Sequence, residues 1–276
     1  MVVYLEFNFT VFPEKPVREI LIAELGELGF ESFVETDNGL LAYIQKEEWD
    51  HYDLNQLFVV QNPEFTISWN IKEIEQQNWN EQWEKNFHPI EINTICRVRA
   101  PFHQAKGLPF EIVIEPKMSF GTGHHETTHM MLKLLLDEPL HDKKVLDMGC
   151  GTGVLAILAE MKGAKPVRAI DIDEWCVENS IENIQRNNCE NIRVQMGDVS
   201  LLKGSKYDVI IANINRNVLL DDIRFYASCL NQEGTLLLSG FYLNDLDMIS
   251  TKCKEYDLQF EKNLTQNNWV AAKYVH

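Results

Sequence analysis

A chain of 276 residues, 45% hydrophobic and 24% charged, is long enough for one large and one small domain and has the composition of a globular protein rather than a disordered one. No stretch approaches the ~18 unbroken apolar residues of a membrane span and the first ten residues lack a basic start, so a cytoplasmic protein with no membrane contact is expected. The net charge of −17 argues against gripping a nucleic-acid backbone, which needs Lys and Arg to displace counterions, and points to a basic partner instead. Residues 1–70 hold thirteen Asp and Glu against three Lys and Arg, a net −10 in the first quarter of the chain. The six cysteines are scattered without a C-x-x-C pair, so reduced, structural thiols are expected.

Val3, Leu5, Phe7 and Phe9 alternate with Tyr4, Glu6, Asn8 and Thr10, which predicts a half-buried first strand. Pro16 suits the first turn of a helix in which Val17, Ile20, Leu21, Leu25 and Leu28 recur at helical spacing until Gly29 stops them. Glu31 to Glu35 and Leu40 to Gln45 flank Asp37-Asn38-Gly39 as the strands of a hairpin. A short amphipathic segment, Leu54 to Val60, and a strand at Phe65 to Ile71 complete the order β-α-β-β-α-β of a small ferredoxin-like α+β domain, placed at residues 1–72. Trp79, Trp83 and Phe87, at i, i+4 and i+8, put three aromatics on one face of a helical linker, residues 73–91, which Pro89 closes. From Ile92 to the end, strand-like runs alternate with helical patterns, which predicts an α/β, Rossmann-like domain at residues 92–276.

The chemistry concentrates in Val145 to Ile157, VLDMGCGTGVLAI: a buried strand ending at Asp147, a loop with Gly149, Gly151 and Gly153, and a helix starting near Val154. Such glycines let backbone amides approach a ligand closely, but they lack the G-x-G-x-x-G spacing of dinucleotide binders. Asp147 would repel a pyrophosphate, whereas the ammonium and sulfonium of S-adenosylmethionine would be attracted to it. Asp171 closes the next apolar strand, 22 residues after Gly149, where a carboxylate can accept from both ribose hydroxyls. Asp198, after Ile192-Arg193-Val194, is placed to accept from the adenine amine. The fourth strand ends at Asn213, whose side-chain oxygen could hold an attacking amine in line with the S–methyl bond. Acid, glycines, acid and acid at successive strand ends lie where open α/β sheets bind ligands, so a methyltransferase using S-adenosylmethionine is the reading.

The run SFGTGHHETTHMMLKLL, Ser119 to Leu135, separates this chain from methyltransferases in general. With the aromatic linker, the glycine loop, the strand-four asparagine, LSGFY at Leu238 to Tyr242 and Trp269-Val270-Ala271, it resembles the PrmA family across the whole chain. The resemblance implies methylation of large-subunit ribosomal protein eleven on lysine side chains and the N-terminal amine, with a small N-terminal domain recognising that protein. It also implies that Phe120, Gly121, Thr122, Gly123, His125, Thr127 and Thr128 lie over the cofactor, and that Thr128, Gly149, Asp171 and Asn213 contact it. The chain is expected to act as a monomer on a basic ribosomal protein, without direct nucleic-acid contact. Asn215 and Arg216 depart from the family's N-I-L-A run and are expected to add polar and charged groups near the acceptor.

Rival readings are weaker. His125-Glu126-Thr127-Thr128-His129 matches the zinc pattern H-E-x-x-H, but no convincing third ligand follows and the two threonines suit a helix start better than its middle. A nicotinamide oxidoreductase is disfavoured by the glycine spacing and Asp147. Within methyltransferases, one acting on a glutamine side chain or on RNA is the alternative, yet such enzymes often continue the asparagine with two prolines, which are absent after Asn213.

Overall fold

The computed structural model describes residues 3–49, 52–75, 87–117 and 119–276. The chain forms two compact units, Met1–Asn86 and Phe87–His276.

In the first unit, strands β1 (Val3–Phe12), β2 (Ser32–Thr36), β3 (Gly39–Gln45) and β4 (Thr66–Glu75) pair in the order β2-β3-β1-β4, every pair antiparallel. This is the strand order of a ferredoxin-like domain. Because side chains alternate across a strand, Leu5, Phe7, Phe9 and Val11 all face inward. They pack on Val17, Leu21 and Leu25 of helix α1 (Glu14–Glu27) and on Val59 of the short helix α2 (Phe58–Gln61). Gly29, at φ +92°, takes the left-handed conformation that ends α1. The β2–β3 hairpin pairs Thr36 with Gly39, so Asp37 and Asn38 form its two-residue turn. The aromatic stripe at Trp79 and Trp83 lies outside the described residues.

The second unit opens on a small three-stranded sheet: β5 (Ile90–Ile92) antiparallel to β6 (Cys96–Arg99), and β6 parallel to β7 (Phe110–Val113). The alternation predicted from Ile92 onward places these strands in the main sheet; they form a sheet of their own. Arg97 and Arg99 both pair with Glu111 and donate to carbonyls of the following loop, at Gln104 and His103 respectively.

Helix α3 (Glu126–Asp137) then leads into the main seven-stranded sheet, made of β8 (Val145–Met148), β9 (Val167–Asp171), β10 (Ile192–Met196), β11 (Tyr207–Asn213), β12 (Leu230–Tyr242), β13 (Gln259–Gln266) and β14 (Trp269–Val275). Its order is β10-β9-β8-β11-β12-β14-β13; the first five are parallel, and β14 runs antiparallel to both its neighbours. Helices α4 (Val154–Met161), α5 (Glu174–Arg186), α6 (Arg216–Cys229) and α7 (Leu246–Lys254) complete the layers. Strands buried on both faces should feed two cores with alternate residues, and they do. Val145, Val209 and Ile211 pack with α3 and α4, while Leu146, Ile210 and Ala212 pack with α6 and α7. The architecture is a Rossmann-like fold in which the parallel strands reverse direction of growth at β8 and β11, leaving a crevice at their carboxyl ends.

Candidate active site

A cavity of about 540 Å³ occupies that crevice, within the size range of small-molecule sites. Of the residues expected at the cofactor, Gly121, Thr122 and Gly123 are not in its lining, while Phe120, His125, Thr127, Gly149, Gly151, Asp171, Asp198 and Asn213 line it. Thr128 and Asp147 do not. Each is 1% exposed and lies behind the lining.

The glycine loop has its shape because no other residue fits it. Gly149 and Gly151 have φ of +72° and +54°, and a Cβ on Gly151 would stand 2.3 Å from the carbonyl oxygen of Phe120. That contact joins two segments 31 residues apart: Thr152 N–H donates to Phe120 O at 2.9 Å, and Thr152 Oγ1 donates to Gly121 O at 2.7 Å. Helix α4 begins right after the loop, and Asp147 Oδ2 accepts from Ala156 N–H in its first turn at 3.1 Å. Asp147 Oδ1 is buried with no hydrogen-bond partner among the described residues. Burial, reinforced by the nearby charge of Asp171, pushes the Asp147 carboxyl up to about 7 even though the Ala156 amide opposes the shift.

Asp171 sits at the end of β9 and organises backbone as well as facing the cavity. Its Oδ2 accepts from Gly151 N–H at 2.8 Å and its Oδ1 from Asp173 N–H at 3.1 Å. Asp198 follows β10 and caps a short 3-10 turn by accepting from Ser200 N–H at 2.8 Å; the hydrogen bonds from Ser200 hold its carboxyl below the usual range. Asp222 on α6 also lines the cavity, and burial, with the charges of Asp221 and Asp198, pushes its carboxyl upward. The acids therefore gather on the β9–β10 side.

Asn213 ends β11 on the other side of the glycine loop. Its Nδ2 donates to Thr128 Oγ1 at 3.3 Å, so the buried threonine orients the amide. Its Oδ1 is buried and has no hydrogen-bond partner among the described residues. Helix α3 starts at Glu126 with His125 as its N-cap: Thr127 N–H donates to His125 Nδ1, which leaves the ring proton on Nε2. The H-E-x-x-H pattern thus straddles a helix start, as the threonines implied. Asn215 and Arg216 are occupied structurally. Asn215 accepts from Val218 N–H as the N-cap of α6, although it also touches the cavity, and Arg216 pairs with Asp245 at 2.7 Å.

Sequence reasoning missed the wall opposite the acids. Trp269, the first residue of β14, lines the cavity with its ring 4.9 Å from that of His125 and 4.1 Å from that of Tyr242. The His125 ring is in turn 5.1 Å from Phe120. Trp269 stood in the sequence as part of a motif, but only the antiparallel pairing of β14 with β12, which sets Tyr242 opposite Trp269, brings it to the site.

Fold and site together define a methyltransferase of the Rossmann-like, S-adenosylmethionine-dependent class. Within that class, the chain belongs to the family described as ribosomal protein L11 methyltransferase (PrmA), which matches residues 19–276. It is 48% identical to the ribosomal protein L11 methyltransferase of Phocaeicola vulgatus, with 99% of each chain covered. Against that of Porphyromonas gingivalis the identity is 49%, covering 98% of this chain and 96% of the relative. The crystal structure of ribosomal protein L11 methylase from Lactobacillus delbrueckii subsp. bulgaricus superposes with a TM-score of 0.63 at 27% identity, covering 68% of this chain and 98% of that one.

Proposed function

We propose that this enzyme methylates ribosomal protein L11 on lysine side chains and on the N-terminal amine. The observation that carries the reading is the buried Oδ1 of Asn213, unpaired among the described residues, at the strand end that lines the cavity. A buried amide oxygen left without a donor costs about 1–3 kcal/mol, so its presence marks a place where a ligand N–H belongs.

The residues present suit S-adenosylmethionine. The cavity has room for it, its carboxylates fit a ligand with positive charge and ribose hydroxyls, and the left-handed glycines hold backbone where a Cβ would intrude. When bound, S-adenosylmethionine supplies an electrophilic methyl group on a positively charged sulfur. Asp171 would accept from the ribose, Asp198 from the adenine amine, and the backbone at Gly149 and Gly151 would lie against the amino-acid end. Thr127 and Phe120 would close over the ligand, while Thr128 and Asp147 would act from behind, one through Asn213 and the other through its bond from Ala156 N–H at the start of α4. Asn213 Oδ1 would accept an N–H of the incoming amine and so aim the nitrogen lone pair. That amine must first lose a proton, which for a lysine at pH 7 costs about 4.6 kcal/mol, and a desolvated position lowers this cost. The small N-terminal domain, with its acidic surface, would select the protein.

The test is to incubate the enzyme and labelled S-adenosylmethionine with ribosomal proteins from a strain lacking the enzyme. Label on L11, mapped by mass spectrometry to lysines and the N-terminus, is the expected result. Label on RNA or on a glutamine side chain would replace this reading with another.

A further inference from the structure

The chain enters the catalytic unit at Phe87, and the first two residues of that entry are held through their carbonyl groups. His103 Nε2 lies 2.7 Å from Phe87 O, and His124 Nε2 lies 2.9 Å from His88 O. A carbonyl oxygen only accepts, so each ring carries its proton on Nε2 and donates it. The opposite nitrogens agree. Nδ1 of His103 accepts from Ala100 N–H at 3.1 Å, and Nδ1 of His124 lies 3.2 Å from the Thr122 hydroxyl, which can donate to it. The Phe87 ring meets both imidazoles, stacked on His103 with an interplanar angle of 11° and with its centroid 4.5 Å from that of His124. His103 belongs to the loop after β6, whereas His124 lies in the short loop whose ends, Phe120 and His125, line the cavity. That loop is held on two sides. On one, Thr152 bonds to Phe120 O and Gly121 O. On the other, Gly123, buried at φ +94°, sits against β5 and β6, where a Cβ would stand 3.5 Å from Ile90 and 3.6 Å from Val98. One loop therefore borders the cofactor cavity with its ends and holds the chain's point of entry with its middle. Fixing one end of a tether limits where the other can reach, and a looser end lowers the effective concentration of whatever the tether carries.

We propose that His124, assisted by His103, is a positioning residue for methyl transfer: it fastens the entry of the chain into the catalytic unit to the loop beside the cofactor cavity, so that an acceptor carried by the small domain is delivered from a fixed origin. This rests on the reading that the small domain holds the acceptor. Neither histidine touches the reacting atoms, and neither lines the cavity.

The experiment compares the intact enzyme with His124→Ala and with His124→Gln, whose amide can still donate to His88 O. Each protein is measured for kcat with L11, for calorimetric affinity toward L11 and S-adenosylhomocysteine, and for deuterium uptake in the peptide covering Phe87 to Ile92. His124→Ala should lower kcat roughly fivefold, the scale of one lost hydrogen bond, and speed uptake at the entry by a similar factor. Both affinities should stay within about twofold of the parent, because neither binding site loses a contact, and His124→Gln should recover most of the turnover. A purely structural role would lower S-adenosylhomocysteine affinity together with kcat, and that result overturns the proposal. So does an unchanged kcat or an unchanged uptake in His124→Ala. If the parent enzyme does not methylate L11, the acceptor reading fails and the uptake decides alone: faster exchange in His124→Ala upholds the anchor, and equal exchange discards it.

Discussion

Thr128 accepts from the amide nitrogen of Asn213, and the amide oxygen is buried with no partner among the described residues. On the proposed role, removing the side chain deletes the contact to the acceptor and none that shapes the glycine loop. Asn213→Ala should lower kcat by about a hundredfold, the scale typical of a lost positioning contact, with little change in S-adenosylmethionine affinity by calorimetry. A loss confined to cofactor affinity would move Asn213 out of this role. Asp147 presents the opposite situation, a carboxyl whose burial favours the protonated form. A folded value raised to about 7 means that the folded state binds more protons than the unfolded one between about pH 4 and pH 7. Its stabilising contribution is complete below the unfolded value and is lost as pH rises through 7. Asp147→Asn should thus flatten the fall in stability of the ligand-free protein from pH 5 to pH 8, by at most on the order of 3 kcal/mol across that range. Denaturation curves of both proteins at several pH values measure it, and parallel pH profiles would show that Asp147 is ionised in the fold throughout.

At the scale of elements, the site depends on two loops that the chain brings together from 31 residues apart. Thr152, fully buried, ties both Phe120 and Gly121 to the glycine loop, one bond through its amide and one through its hydroxyl. Thr152→Val keeps the shape and the amide bond but leaves the Gly121 oxygen without its donor. The expected cost is about 1–3 kcal/mol of stability, with weaker S-adenosylmethionine binding as Phe120 loosens, both read from thermal unfolding with and without ligand. Unchanged stability would mean that the hydroxyl bond contributes nothing to holding the loops. The strand ends at Asp171 and Asn213, the glycine loop and the start of α3 were legible in the sequence because each is local: an apolar run, a turn residue and a helix pattern within a dozen positions. The small sheet of β5, β6 and β7 was not. Its strands are three or four residues long, too short for the apolar-charged alternation of Cys-Arg-Val-Arg to stand out, and the burial of Arg97 is settled by Glu111, a pairing across 14 residues. Trp269 eluded site reading for the same reason: its place is decided by a partner strand 27 residues earlier, at Tyr242.

For the whole molecule the governing quantity is charge. Of the net −17, residues 1–70 carry −10, and Glu19, Glu27, Glu47 and Glu48 of that segment are exposed. Exposed charges of this kind add little to stability, but they create a field that raises the encounter rate with a basic protein and weakens as salt shortens the screening length to about 8 Å at 0.15 M. If the small domain selects L11 through this field, kcat/KM for L11 should fall with ionic strength more steeply than affinity for S-adenosylmethionine, whose site lies in the other compact unit. Converting the four glutamates to glutamine removes four charges without altering size. The variant should lose about tenfold in kcat/KM at low salt, retain cofactor affinity and fold, and show a shallower dependence on ionic strength than the parent. Stopped-flow or steady-state rates at five salt concentrations give the two slopes directly. Identical slopes and rates for the two proteins would assign L11 selection to shape and apolar contacts, and leave the acidity of the small domain a matter of solubility.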